Sequence, residues 1–443
     1  MTLFRMPSSA RIIAFKSLLQ WEKTRRDPHS IIADFINDKL KPEDASFTRE
    51  LFFGVIKFKR KLDYYAKAYF PSQSLKIELR LIIRLGLYQL IQTRNIPDYA
   101  VVSEAVELTR EFCSIKDAGF INAVLRNYIR NPQKIRLPDK KSAPIRFLGI
   151  NYSYPDWLVR RYVNRLGFDE TEKILRFGNA PPDTCFFVNE YIATQQDIEN
   201  RLNDLNIRYR KNELFEGYYN CYDPHQLLRS EIFLNGNIVI GDPAQRLAPA
   251  LLAVPTGETV LDIFSSPGGK TAALANAVGR RGSVIATDIS LERLRVLICN
   301  IKRWHLDNIY VFCSDGLRFA SGKKFKYILA DVPCSGTGVL RRNPDLRWNL
   351  KKEDIKRLAD TQKRLIRAVA DKLERKGRLV YSTCSFEPEE NREVVIDFLK
   401  QNKNFCLGDF KGYDEFRTEK GIYETVPHRH SCDGVFVAVI EKV

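Results

Sequence analysis

The chain is poor in the patterns that build metal sites and disulfide scaffolds. Its nine cysteines, at 113, 185, 221, 299, 313, 334, 384, 406 and 432, form no Cys-x-x-Cys pair, and its five histidines are scattered. This excludes a zinc ribbon, and the odd count argues against a complete set of internal disulfides. No apolar run approaches the ~20 residues that span a bilayer. The opening MTLFRMPSSAR lacks the apolar stretch of a secretory signal, so a cytoplasmic protein without a membrane partner is expected. A Gly-x-Gly-x-x-Gly run is also missing, which counts against a nicotinamide-linked oxidoreductase.

Positive charge is what the chain has in excess. Seventy-one Lys and Arg face 54 Asp and Glu, a net +17, and residues 1–150 alone hold 27 basic against 15 acidic side chains. A polyanionic partner would release counterions on meeting such a surface. A merely basic, soluble surface is the alternative. With 443 residues, 44% hydrophobic and 28% charged, the chain reads as a soluble globular protein of two or three domains.

Apolar residues three and four apart mark RIIAFKSLLQWEK, FTRELFFGVIKFKRKLDYYAKAYF and SLKIELRLIIRLGLYQLIQT as helices. The breaks DPHS, KPEDAS, FPSQ and NIPD separate them. Residues 1–135 therefore read as an all-α bundle with basic faces. NPQKIRLPDKKSAP reads as a linker, and up to residue 235 helices (PDWLVRRYVNRLG, TQQDIENRLNDLN) mix with strands (TCFFVNEY, EIFLNGNIVI), a small α+β module over 136–235. From 236 to 443 the runs GETVLDIF, GSVIATD, NIYVFCSD, FKYILADV and GRLVYSTCS alternate with helical stretches. That pattern predicts a parallel, doubly wound α/β sheet, whose ligands bind at the carboxyl ends of the strands.

Polar motifs fall at those ends. In DIFSSPGGKT, Gly268 and Gly269 let a ligand approach the backbone, and Asp288 ends the next strand, placed to accept from a ribose hydroxyl. These features fit a nicotinamide or an S-adenosylmethionine site equally. Asp315 follows the third strand and suits an adenine amino group, or a surface cap. Asp331 and Cys334 follow the fourth strand in ADVPCSGTG, and Cys384 follows the fifth in YSTCSFEPEEN. Either thiol alone reads as core filler, but two at neighbouring strand ends beside a carboxylate point to chemistry. Arg341, Arg342, Arg347 and Trp348, just beyond, read as phosphate contacts and a base-stacking ring, or as solvated charges with one structural Trp.

Two resemblances rest on these stretches. The run from Leu79 to Arg130, LRLIIRLGLYQLIQTRNIPDYAVVSEAVELTREF…GFINAVLRNYIR, resembles the RNA-binding fold of the antiterminator NusB. That implies that the basic bundle docks RNA; a purely supporting bundle is the other reading. DIFSSPGGKT, ADVPCSGTGVLRRNPDLRW and YSTCSFEPEEN resemble the motifs of RNA cytosine-5 methyltransferases, and the whole chain resembles the bacterial Fmu/Sun (RsmB) type. The resemblance implies a Rossmann-like class I methyltransferase domain, S-adenosylmethionine as cofactor, small-subunit (16S) ribosomal RNA as substrate and a monomer without metal. By residue it implies a cofactor site of Phe264, Ser265, Ser266, Pro267, Gly268, Gly269, Lys270, Asp288, Asp315 and Asp331. It also implies Cys384 as nucleophile, Cys334 for product release, Asp331 at cytosine N3, and Lys270 among the catalytic groups. The chain departs from the family in having Phe264-Ser265-Ser266 before PGGK, where Cys-Ala-Ala is common. Another RNA such as tRNA, or an RNA-binding ribosome assembly factor without catalysis, are the competing readings.

Overall fold

A computed structural model describes residues 8–36, 40–70, 75–93, 96–319 and 322–443. Most of the MTLFRMPSSAR opening, Pro71–Gln73 of the FPSQ break and Asn95 of NIPD lie outside the described residues. The chain divides into two compact units, residues 1–179 with 343–349, and residues 180–342 with 350–443. Among the described residues no helix is long and apolar enough to cross a membrane.

The first unit is all helical: α1 Ser9–Thr24, α2 Pro28–Phe35, α3 Pro42–Lys67, α4 Ile77–Gln92, α5 Asp98–Phe112, α6 Ile115–Arg130, α7 Pro144–Asn151, α8 Asp156–Leu166 and α9 Phe168–Phe177. Proline opens α2, α3 and α7, where its missing N–H costs nothing. Helix α4 is buried nearly all round by Leu81, Ile82, Ile83, Leu85 and Leu87. Its one buried cation, Arg84, donates two 2.7 Å bonds to Asp63 and one to Glu22, so the charge is fully paired. Gly54 on α3 permits the close approach to α4, because a Cβ there would lie 2.1 Å from the Tyr88 ring.

The expected 136–235 module is divided by this architecture. Its first part belongs to the helical unit, where Tyr69 and Tyr64 donate to the Asn131 and Arg136 carbonyls at 2.8 and 2.7 Å and hold the Pro-rich stretch against α3. Its later part, with Ile238–Ile240 just beyond the expected boundary, forms a four-stranded antiparallel sheet in the second unit: β1 Thr184–Val188, β2 Tyr209–Lys211, β3 Tyr218–Cys221 and β4 Ile238–Ile240, ordered β2-β3-β1-β4. Helix α10 Gln195–Asp204 covers it with Ile198 and Leu202, and a Thr194/Asp197 capping box sets where that helix starts. EIFLNGNIVI, expected as one strand, is a helical turn at Glu231–Leu234 and then β4, because Gly236 adopts a left-handed φ of +69° between them.

The main sheet comprises β5 Thr259–Ile263, β6 Ser283–Asp288, β7 Ile309–Cys313, β8 Phe325–Asp331, β9 Leu373–Thr383, β10 Phe405–Leu407, β11 Arg417–Glu419, β12 Ile422–Glu424 and β13 Phe436–Lys442. Its order is β11-β12-β13-β9-β8-β5-β6-β7, with β10 on β13. The five strands β5 to β9 are mutually parallel, as expected, but β13 pairs antiparallel with β9, so the sheet is mixed. Alternate residues feed two apolar layers. Val260, Leu329, Val380 and Val437 meet Leu274 and Leu251 on one face, whereas Leu261, Ile328, Leu379 and Ala438 meet Ile366, Val369 and Val394 on the other. Burial on both faces explains why these strands read as continuous apolar runs.

Candidate active site

The loop after β5 is built around unusual backbone geometry. Phe264 adopts a left-handed φ of +70°, which is rare for an aromatic residue. Ser265 then anchors the turn by donating its N–H and its hydroxyl to the Thr287 carbonyl of β6, at 2.9 and 3.0 Å. Gly268, with φ +110°, opens the helix Gly269–Val278; a Cβ there would lie 2.5 Å from Leu297. The Phe264 ring occupies space that any side chain at Gly316 would fill, since a Cβ at 316 would lie 2.5 Å from it. The departure at Phe264 is thus accommodated by a glycine in the loop after β7.

Beneath the loop lies Asp262, fully buried. One oxygen accepts from Thr271 Oγ1 at 2.6 Å and the other has no partner. Burial, reinforced by Asp331 and Asp288, pushes its carboxyl up to about 7. Asp288, at the end of β6, is also buried. Its Oδ1 accepts from the Ser290 N–H at 3.0 Å; its Oδ2 makes no aligned hydrogen bond, although Arg293 Nη1 is 3.3 Å away. Half-buried Asp315 accepts from the Leu317 N–H at 2.9 Å.

Lys270 Nζ meets Asp331 Oδ2 at 2.7 Å, while Asp331 Oδ1 accepts from Ser382 Oγ at 2.9 Å. Burial works against the lysine charge, but Asp331 more than offsets it, and the ammonium is held above its ordinary range. The parallel β8–β9 ladder sets Asp331 opposite Ser382, and the loops leaving both strands then bring their thiols together. Cys334 Sγ and Cys384 Sγ are 3.2 Å apart, and the Cys384 N–H points at Cys334 Sγ at 3.3 Å. The contact with Cys384, then burial, then the negative charges of Glu390 and Asp331 push the Cys334 thiol well above its usual value. Gly338 permits the loops to close: its N–H donates to the Cys384 carbonyl at 2.9 Å, and a Cβ there would lie 2.1 Å from the Gly434 carbonyl oxygen.

A cleft of about 190 Å³ joins these groups. Asp262, the whole Phe264–Lys270 loop, Asp331 and Cys384 line it, with Cys334 packed against Cys384. Asp288 and Asp315 stand at neighbouring strand ends, outside this lining. Five lining residues escaped sequence reasoning: Gln245, Asp262, Val339, Asp433 and Val435. The first lies in the stretch GDPAQRLAP, residues 241–249, whose pattern attaches no role to it.

The arginines after the PCS motif require a correction. Arg342 donates to Asp242 at 2.7 Å and Asp433 at 2.9 Å, and the guanidinium of buried Arg341 lies 3.9 Å from both Asp183 and Asp242. Arg347 is 1% exposed in the helical unit; it donates to Asn179 Oδ1 and the Gly178 carbonyl at 2.7 Å and lies over the Tyr154 ring at 3.8 Å. Trp348 donates to the Ile56 carbonyl at 2.7 Å. These side chains are committed to internal partners, so they are structural rather than RNA-facing. Sequence spacing alone does not reveal which cations meet buried carboxylates and carbonyls.

Comparison with known proteins places this geometry in context. The family described as 16S rRNA methyltransferase RsmB/F matches residues 249–441, the NusB family matches 8–130, and the RsmF/B-like ferredoxin-like domain matches 154–217. The chain is 30% identical to a probable ribosomal RNA small subunit methyltransferase B of Bacillus subtilis, over 98% of this chain and 99% of that protein. A protein of the same description from Synechocystis is 30% identical over 98% and 99%. The crystal structure of PH0851, 23% identical, superposes with a TM-score of 0.82 over 99% of this chain and 100% of its own, and shares the fold.

Proposed function

The chain belongs to the RsmB/F family of 16S rRNA methyltransferases, and on that premise we propose that it methylates C5 of an unstacked cytosine in small-subunit ribosomal RNA. The observation that carries this reading is the pair of thiols 3.2 Å apart beside the Lys270–Asp331 ion pair, at one end of a parallel sheet. A single thiol would serve many chemistries; two within contact suit addition followed by elimination.

The residues present fit S-adenosylmethionine. The buried Asp288 Oδ2, which makes no aligned hydrogen bond and has Arg293 Nη1 at 3.3 Å, suits a hydroxyl donor such as a ribose, and the bare backbone at Gly268–Gly269 admits close approach. The loop 264–270 and Asp288, with Asp315 nearby, would hold the cofactor. When bound, it supplies a methyl group on a positively charged sulfur, the electrophile that C5 of cytosine needs.

Cys384 acts first, as thiolate, adding to C6 so that C5 becomes an enamine-like carbon. A proton taken from water is held between Asp331 and N3 as the ring gains electron density, and the Lys270 ammonium offsets the negative charge that remains. Once Cys384 is a neutral thioether, the foremost cause of the raised Cys334 value is gone. Cys334 can then release its proton to water, take the proton from C5, and let Cys384 depart as thiolate. The helical unit, where most of the charge excess lies, docks the RNA.

The test is methyl transfer to small-subunit RNA by the wild type, Cys384→Ala and Cys334→Ala, with denaturing gels. The wild type should methylate cytosine C5, Cys384→Ala should be inactive without an adduct, and Cys334→Ala should accumulate a covalent protein–RNA species. A covalent species from Cys384→Ala would sink the assignment, as would methylation at another atom.

A further inference from the structure

The motif YSTCSFEPEEN contains a carboxylate that the mechanism above does not use. Glu390 is completely buried, yet no Lys or Arg lies within ion-pairing distance of it among the described residues. Its partners are four hydrogen-bond donors. Oε1 accepts from the Ser335 N–H at 2.9 Å and Gln362 Nε2 at 3.0 Å; Oε2 accepts from Ser385 Oγ at 2.5 Å and from Ser335 Oγ. A carboxylate can only accept, and these four donors use its two oxygens fully.

The sequence positions of the donors give this cluster its meaning. Ser335 directly follows Cys334, and Ser385 directly follows Cys384. Gln362, on the helix Lys352–Ala370, also donates to the Pro333 carbonyl at 2.9 Å, just before Cys334. Further bonds hold the loop that carries Glu390: Tyr381 donates to its carbonyl at 2.6 Å, and Asn391 donates to the Ser385 carbonyl at 2.7 Å. Both sulfur-bearing loops are thus bound to one side chain, their serine hydroxyls meeting at the same oxygen, Oε2, and lying 3.0 Å apart. Burial makes such a network all-or-none, because a donor deprived of its acceptor has no water to replace it.

We propose that Glu390 is a positioning residue that sets the separation of Cys334 and Cys384 by accepting from Ser335 and Ser385. It touches neither the sulfurs nor the reacting base. The proposal rests on the functional reading only for its kinetic consequence; the sulfur separation itself is independent of it.

Two readouts test this with the full-length protein. The first is oxidation by diamide, which takes two protons and two electrons from the thiol pair as its N=N bond becomes a hydrazine. Peptide mapping then follows the rate of the Cys334–Cys384 disulfide. The second is kcat and KM for cytosine methylation. Glu390→Gln keeps the shape, and the serine hydroxyls can turn to accept from its amide, so it should fold with an unchanged melting temperature. It should form the disulfide about tenfold more slowly, since disulfide geometry is narrow. Its kcat should fall about 100-fold with KM changed less than about threefold, as for a reacting group displaced by ~1 Å. Glu390→Asp keeps the charge but is one methylene shorter, and should also be impaired, which separates position from charge. Disulfide rates within about twofold of wild type in folded Glu390→Gln and Glu390→Asp would overturn the proposal, as would a kcat loss matching only the loss of folded protein. A wild type that methylates no cytosine would overturn the functional reading instead, leaving the disulfide rates to decide the role of Glu390.

Discussion

Two charged clusters stand close together in the chain of the second unit and serve opposite ends. In one, Lys270 meets Asp331, whose side chain is 30% exposed and faces the cleft. In the other, Arg342 bridges Asp242 and Asp433, with side chains 0% and 3% exposed. Both are a cation beside carboxylate. The second is nearly closed: Asp242 also accepts from the Asp433 N–H at 2.9 Å and from the Ala244 N–H at 3.0 Å, and Asp433 Oδ1 is left without a hydrogen bond. The first is open, leaving space where a substrate can share the pair's proton and charge. Chemistry resides where a polar cluster is left incomplete, and rigidity where it is closed.

Breaking the closed cluster should have the largest effect. Arg342→Ala leaves two buried carboxylates without their cation and should destabilise the second unit by about 3–5 kcal/mol, read as an earlier midpoint in urea. Asp433 shows why: burial and then Asp242 push its carboxyl up to about 7 even with Arg342 present. Breaking the open cluster should instead spare the fold. Asp331→Asn should lower kcat/KM about 100-fold, roughly 2.7 kcal/mol of transition-state stabilisation, while moving stability by less than about 1 kcal/mol.

Arg347→Ala sharpens the contrast in the helical unit. It should cost about 2 kcal/mol of stability through lost charge-assisted bonds, and leave the salt dependence of RNA affinity unchanged. A shallower salt slope would return Arg347 to the RNA interface. The smallest expected effect concerns Asp262. Its folded-state value near 7 lies above the unfolded one, so between about pH 4 and pH 7 the folded chain holds a proton that the unfolded chain has released. Stability contributed by this group is present at low pH and lost as pH rises through 7. Asp262→Asn should flatten that decline in melting temperature against pH.

Much of this was legible in the sequence, for local physical reasons. Apolar runs ending in Asp288 and Asp331 mark buried parallel strands with polar carboxyl ends, and paired glycines at 268 and 269 mark a backbone open to a ligand. Helical periodicity marked the bundle, although not that α7 to α9 and the stretch 343–349 belong to the same unit. The arginines at 341, 342 and 347 were misread because a charge run looks alike whether solvent or buried carbonyls receive it.

By itself, then, the sequence determined the strand–helix alternation, the placement of both cysteines at strand ends and the family to which those motifs belong, because each depends on spacing along the chain. Only the tertiary structure decided that the sulfurs meet at 3.2 Å, that Asp433 and Gln245 join the cleft, and that Glu390 ties the two loops together. Apart from the five-residue step between Ser385 and Glu390, those facts depend on contacts between residues 50 or more positions apart, which exist only once the apolar layers have packed and water has been excluded.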